Sequence, residues 1–202
     1  MNNIDYLNKI SSENQHEKSS DSLFSSKPLK FGLIAVAVLA LFILIFGALS
    51  NSTGKEKSVF ERLNLRLTNV NSSITTYNKS VKSSALRSSG VSLASILEAT
   101  SLSLTPFYEK YDLDAKKPSE KISAGETALL DSLNLELENG KLNGILDRTY
   151  AREMTYQISL LLSLEVELYE KTKDEALKAA LESSYTNLET IYPNFNDFSE
   201  TD

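Results

Sequence analysis

The lone histidine, His16, lies in the first thirty residues, and the chain has no cysteine. Beyond residue 50 there is therefore no imidazole base, no thiolate and no zinc–thiolate site, and a Ser-His-Asp relay cannot form. A Ser–Lys pair stays open, although no spacing selects one. The seven glycines are scattered singly, so no phosphate-cradling loop is present. Carboxylates are what remain. Glu126, Glu136, Glu153, Glu165 and Glu167 are the acids that a helical bundle could turn inward to hold a hard cation, and Glu165 borders an apolar stripe. Against that stands the ordinary place of a glutamate on a solvated helix face. Tyr77, Tyr108, Tyr150 and Tyr185 fall on apolar stripes. They suit core positions with hydroxyls reaching the bundle end, or else an aromatic ligand pocket.

The elements that would position these residues follow from hydrophobic periodicity. Thr53 and Glu56 have capping-box spacing and open a helix. Phe60, Leu63, Leu67, Val70, Ile74, Tyr77 and Val81 then recur every three or four residues and form one continuous seam. Ser88, Ser89 and Gly90 are expected to end this helix. A second helix is expected over 91–111, kinked at Pro106, followed by a charged connection over 112–122. Ser123 and Glu126 suggest another capping box, opening a helix through Leu129, Leu130, Leu133 and Leu137 that Asn139 and Gly140 close. A fourth helix covers 144–172, and a fifth runs from the Thr172–Glu175 pair to Pro193. Phe195 and Phe198 are expected to trail along the surface in an acidic tail over 193–202. The soluble part, 54–192, reads as an all-α, up-and-down bundle of four to five helices.

Residues 31–49 carry no charge over nineteen positions, with Phe31, Leu39, Phe42 and Leu49 among their apolar side chains. As a helix they span roughly 28 Å, close to a bilayer's hydrocarbon core. The expectation is a single transmembrane helix over 31–50, preceded by a Ser- and Asn-rich tail over 1–30 that buries too little to fold. A cleaved signal peptide with a site near Ala48 and Ser50 is the rival, but the apolar run is long for one and thirty residues precede it. A lipid anchor needs a cysteine. Lys27 and Lys30 adjoin the span, which favours an amino end in the cytoplasm and a domain outside it. The helix at Phe60 can run on from the span, with Gly54 as a hinge.

The net charge of −6 falls entirely beyond the span, because the tail's four lysines balance its four acids. Nucleic acid is therefore excluded as a partner. No cofactor is expected. In the expected fourth helix, Asp147 suits the positive end of the helix dipole, and Arg148 is placed to brace a neighbour.

The run Leu142-Asn143-Gly144, Leu146-Asp147-Arg148, Thr149-Tyr150 resembles a motif in a family of exported bacterial ferritin-like four-helix domains of unknown function. The likeness covers about residues 141–192 and rests on Gly144, Asp147, Arg148 and Tyr150. It implies a helical bundle and an extracytoplasmic location, and it supplies no activity. The family's histidines in the two closing helices are replaced here by Gln157 or Ile158 and by Asn187 or Leu188, which weakens a metal role. The leading expectation is a non-enzymatic, membrane-anchored bundle of the cell envelope with a structural or protein-interaction role, self-association included. The alternatives are an extracytoplasmic sensor of a small ligand and, from a different class, a carboxylate-only metal protein.

Overall fold

A seam of large apolar side chains at three- and four-residue spacing must be covered by other helices, and in the computed structural model it is. The structure describes residues 52–114 and 117–199, with side chains from Gly54 onward. The expected tail and transmembrane helix, with Phe31, Leu39, Phe42 and Leu49, lie outside the described residues. Among the described residues no helix is long and apolar enough to cross a membrane.

Among the described residues five long helices and two single-turn ones follow in order: α1 (Ser52–Tyr77), α2 (Ser84–Leu104), α3 (Phe107–Lys110), α4 (Glu120–Leu142), α5 (Leu146–Lys171), α6 (Glu175–Ile191) and α7 (Pro193–Asn196). The fold is an all-α bundle. Helices α1, α2, α6 and α5 close a ring in which each packs on the next, and α4 lies along the edge formed by α1 and α5. Phe60, Leu63, Leu67, Val70, Ile74, Tyr77 and Val81 are all buried, facing Leu86, Leu93 and Leu97 of α2 and Met154, Ile158 and Leu161 of α5 in one core. Each such side chain removed from water contributes about 1.5–3 kcal/mol.

Several boundaries differ from the periodicity reading, each for a local reason. Helix α1 stops at Tyr77, passes through a 3-10 turn at Asn78–Ser80 and becomes extended at Val81. Ser88, Ser89 and Gly90 lie inside α2, which starts earlier, where the Ser83 side chain accepts the Leu86 amide at 3.3 Å. Gly90 does not end a helix. A Cβ there would collide with the Asn78 carboxamide and the Tyr150 hydroxyl, so glycine permits the helices to approach.

Pro106 breaks the second helix rather than kinking it. It has no N–H for the Leu102 carbonyl, which accepts from the Thr105 amide instead, and α3 starts anew behind it. Helix α4 starts at Glu120, so Ser123 and Glu126 are interior, and Asn139 and Gly140 are interior too. The true stop is Gly144, at φ +74°, where the Ile145 amide bonds to the Gly140 carbonyl and the Gly144 amide to that of Lys141. Gly140 gives close approach: an added Cβ would sit 2.6 Å from Thr149 Oγ1. Leu129, expected on the inner stripe, is 40 % exposed, because Glu126 and Leu133 take the inward face.

At the far end, Asp174 caps α6 by accepting the Ala176 and Leu177 amides, and Thr172 accepts the Asp174 amide. Pro193 opens α7, and Phe195 is buried against Tyr150 with ring centroids 6.2 Å apart while Phe198 packs partly buried on the core, so these two rings do not trail along the surface.

Candidate functional site: a groove over a buried carboxyl

Helices α5 and α6 present matching faces to each other. Glu165, Val166, Tyr169 and Glu170 on α5 meet Leu181, Glu182, Tyr185 and Thr186 on α6, and together they line an open groove of about 550 Å³. Both sets have the i, i+1, i+4, i+5 spacing that keeps four side chains on one side of a helix.

Glu165 lies at the floor of this groove and is 1 % exposed. The Ser184 hydroxyl donates to its Oε1 at 2.5 Å. Thr100 Oγ1 lies 2.7 Å from Ser184 Oγ, and since the serine proton is committed to Glu165, Thr100 donates to Ser184. A buried polar chain thus crosses from α2 through α6 to α5. Glu165 Oε2 has no hydrogen-bond partner among the described residues. Burial pushes the carboxyl up to about 8, against the smaller opposing pull of the Ser184 hydrogen bond. The group is therefore largely protonated at neutral pH and ionises readily when a cation or donor is offered to it.

The rim is polar. The Tyr169 hydroxyl donates to Glu182 Oε1 at 2.7 Å, tying α5 to α6 across the groove. The Lys178 ammonium sits 5.7 Å from the centre of the Tyr169 ring. Burial and the nearby Glu189 and Glu165 carboxylates push the Tyr185 hydroxyl up.

The other candidate acids are scattered and already paired. Arg66 Nε donates to Glu126 Oε2 at 2.6 Å and its Nη2 to Oε1 at 3.1 Å, a buried bidentate pair joining α1 to α4, with Arg62 Nε 3.8 Å from the same carboxylate. Glu136 and Glu153 both pair with Arg152 on the surface, at 3.1 and 2.9 Å, and Glu167 pairs with Lys171 at 3.4 Å. Among the described residues no three carboxylates or histidines converge as metal ligands would.

The tyrosines separate as well. Tyr77 donates to the Asn134 carbonyl at 3.1 Å, and Tyr108 packs edge-on to Phe60 at 5.3 Å. Tyr150 is fully buried, burial pushes its hydroxyl well up, and that hydroxyl has no partner among the described residues. Only Tyr185 of the four lines the groove. Sequence reasoning missed Thr100, Tyr169 and Ser184. Their signal was a polar residue standing in an apolar stripe: Thr100 between Leu97 and Leu104, and Ser184 between Leu181 and Leu188.

The motif residues have structural roles. Gly144 makes the turn between α4 and α5. Asp147 reaches across to accept the Lys82 and Ser83 amides at 2.8 and 2.6 Å, so it secures the start of α2 as well as sitting in the first turn of α5. Arg148, expected to brace a neighbouring helix, is exposed and makes no ion pair among the described residues.

Comparison with known proteins returns no match, whether to family models, curated proteins or solved structures. The described residues form an all-helical domain with no family identified, and the ferritin-like likeness has only its sequence motif behind it.

Proposed function

We propose that this chain is a single-pass membrane protein of the cell envelope whose helical bundle is a non-enzymatic, extracytoplasmic binding module. The observation that carries the binding reading is Glu165: a buried carboxyl with one unpartnered oxygen at the floor of a groove large enough for a small molecule. The other buried acids are engaged, Glu126 by Arg66 and Glu61 by the Ser119 amide, which leaves Glu165 as the group suited to meet a ligand. Because α5 packs against α1, a ligand that alters α5–α6 packing also bears on the helix that follows the apolar segment in the sequence. That favours a sensor-like role over a passive spacer. The anchored, outward-facing arrangement is supported by the uncharged run over 31–49 and by Lys27 and Lys30 beside it.

A second reading, protein interaction or self-association, draws on α4. Leu135 and Leu142 lie seven residues apart on its outer side and are 61 % and 74 % exposed.

The absence of cysteine makes the topology directly testable. With Ser20→Cys and Ser52→Cys introduced separately, a membrane-impermeant maleimide on intact cells is expected to label position 52 and not position 20, on a full-length chain. Labelling at 20 alone places the bundle in the cytoplasm, and a shortened chain means a cleaved signal.

A further inference from the structure

The groove's own chemistry narrows what it takes. Of its eight lining residues three are acids, Glu165, Glu170 and Glu182, and none is basic. The rest of the wall is Thr186, the aliphatic Val166 and Leu181, and the rings of Tyr169 and Tyr185. A hard metal ion needs six or more oxygens around it, and the groove's three acids do not converge to supply them. An anion is repelled by Glu170 and Glu182, and by Glu165 once it ionises. A compact organic cation satisfies every feature at once. Its N–H groups pair with the free oxygen of Glu165, its apolar body lies against the leucine and valine, and its charge faces a tyrosine ring. Tyr169 already has an ammonium over its face, that of Lys178, so Tyr185 is the ring left to face a ligand cation.

We infer that the α5–α6 groove binds a small primary alkyl- or arylalkyl-ammonium compound, with Glu165 Oε2 accepting its N–H and Tyr185 flanking it. This rests on the binding-module reading above. Thr100 and Ser184 act as positioning residues: their relay holds Oε1, so that Oε2 is the oxygen left for the ligand. No bond is made or broken.

The probe is 2-phenylethylammonium, compared with the neutral 2-phenylethanol and the anionic phenylacetate. Each is titrated calorimetrically into the full chain in lipid nanodiscs at about pH 8.5, where the Glu165 carboxyl is largely ionised and an alkylammonium keeps its proton. The expected result is one-to-one binding of the ammonium compound, at least about tenfold tighter than the alcohol, as a charge-assisted hydrogen bond provides. Glu165→Gln is expected to remove that preference, so that the ammonium compound binds no tighter than the alcohol does to the same variant. Tyr185→Leu, at the rim and away from the buried relay, weakens the ammonium compound by several-fold and keeps the variant testable if the Gln protein folds poorly. Alcohol binding without ammonium preference overturns the ligand class and leaves the groove reading standing. Binding of none of the three overturns both. Equal ammonium affinity in Glu165→Gln and wild type overturns the role of Glu165.

Discussion

Replacing Glu165 by Gln changes one property of the bundle above all, its dependence on pH. In the folded chain the carboxyl is raised from an ordinary 4.5 to about 8 by burial. The native state therefore holds this proton more tightly than the unfolded state does. Below about pH 4.5 both states are protonated and the group has no effect on stability. Between 4.5 and 8 the unfolded chain loses the proton first, so stability falls as pH rises, and above about 8 the loss is complete. At about 1.4 kcal/mol per pH unit the whole loss is on the order of 5 kcal/mol, roughly 3 of it already incurred at pH 7.

Glutamine stays neutral throughout and can still accept from Ser184, but its amide N–H group is buried at a cost of about 1–3 kcal/mol. The variant should thus be slightly less stable than wild type near pH 5 and more stable near pH 9. Urea unfolding of both proteins in the same micelles, followed by tyrosine near-ultraviolet dichroism, yields the difference at each pH with all other titrations cancelled. The stability curves are expected to cross. Parallel curves from pH 5 to 9 would refute the assignment of a buried, protonated carboxyl under the groove.

Four further outcomes follow from the packing. Gly90→Ala should destabilise, since its Cβ meets Asn78 and Tyr150; a clash of about 1–3 kcal/mol outweighs the helix-propensity gain of about 1. Gly125→Ala, in open space on α4, should stabilise by up to about 1 kcal/mol, and thermal melts of the pair compare the two terms directly. Arg66→Ala strips the buried Glu126 carboxylate of its bidentate partner and leaves it only the longer contact to Arg62, with an expected loss of about 3 kcal/mol in urea unfolding, whereas Arg66→Met combined with Glu126→Leu recovers most of it. Leu67→Asp with Ile74→Asp places two charges in the core seam and should abolish cooperative melting; a normal transition would show that the seam is not core.

How far the sequence could be read depended on whether a residue's role was local or tertiary. The α1 seam was legible because apolar spacing is a property of one helix alone, and Phe60 through Tyr77 are buried as that spacing requires; Val81 is buried too, but from extended backbone past the helix end. Helix ends were misread wherever a turn-forming residue serves a neighbour instead. Gly90 and Gly140 have the composition of stops yet exist to let Tyr150 and Thr149 approach. Glu126 has capping-box spacing from Ser123 yet turns inward to Arg66, sixty residues away in sequence. The stop that was real, Gly144, was identified only as part of a motif. The groove was partly visible, since Glu165 borders its helix's apolar stripe. What one helix could not reveal is that Thr100, Glu165 and Ser184, the polar interruptions of three separate stripes, come to the same level of the bundle. Phe195 was misplaced because its short segment has no periodicity, and only the space beside Tyr150 determines that it is buried.

The most direct test of the binding account is the titration of Glu165 itself, by carbon-13 NMR of the side-chain carboxyl in selectively labelled full-length protein, assigned with Glu165→Gln. The account predicts a midpoint of about 8 in the free protein and a midpoint that falls when 2-phenylethylammonium is added, because the bound cation favours the carboxylate. A midpoint near the ordinary 4.5, or one that the ammonium compound leaves unmoved, would contradict it.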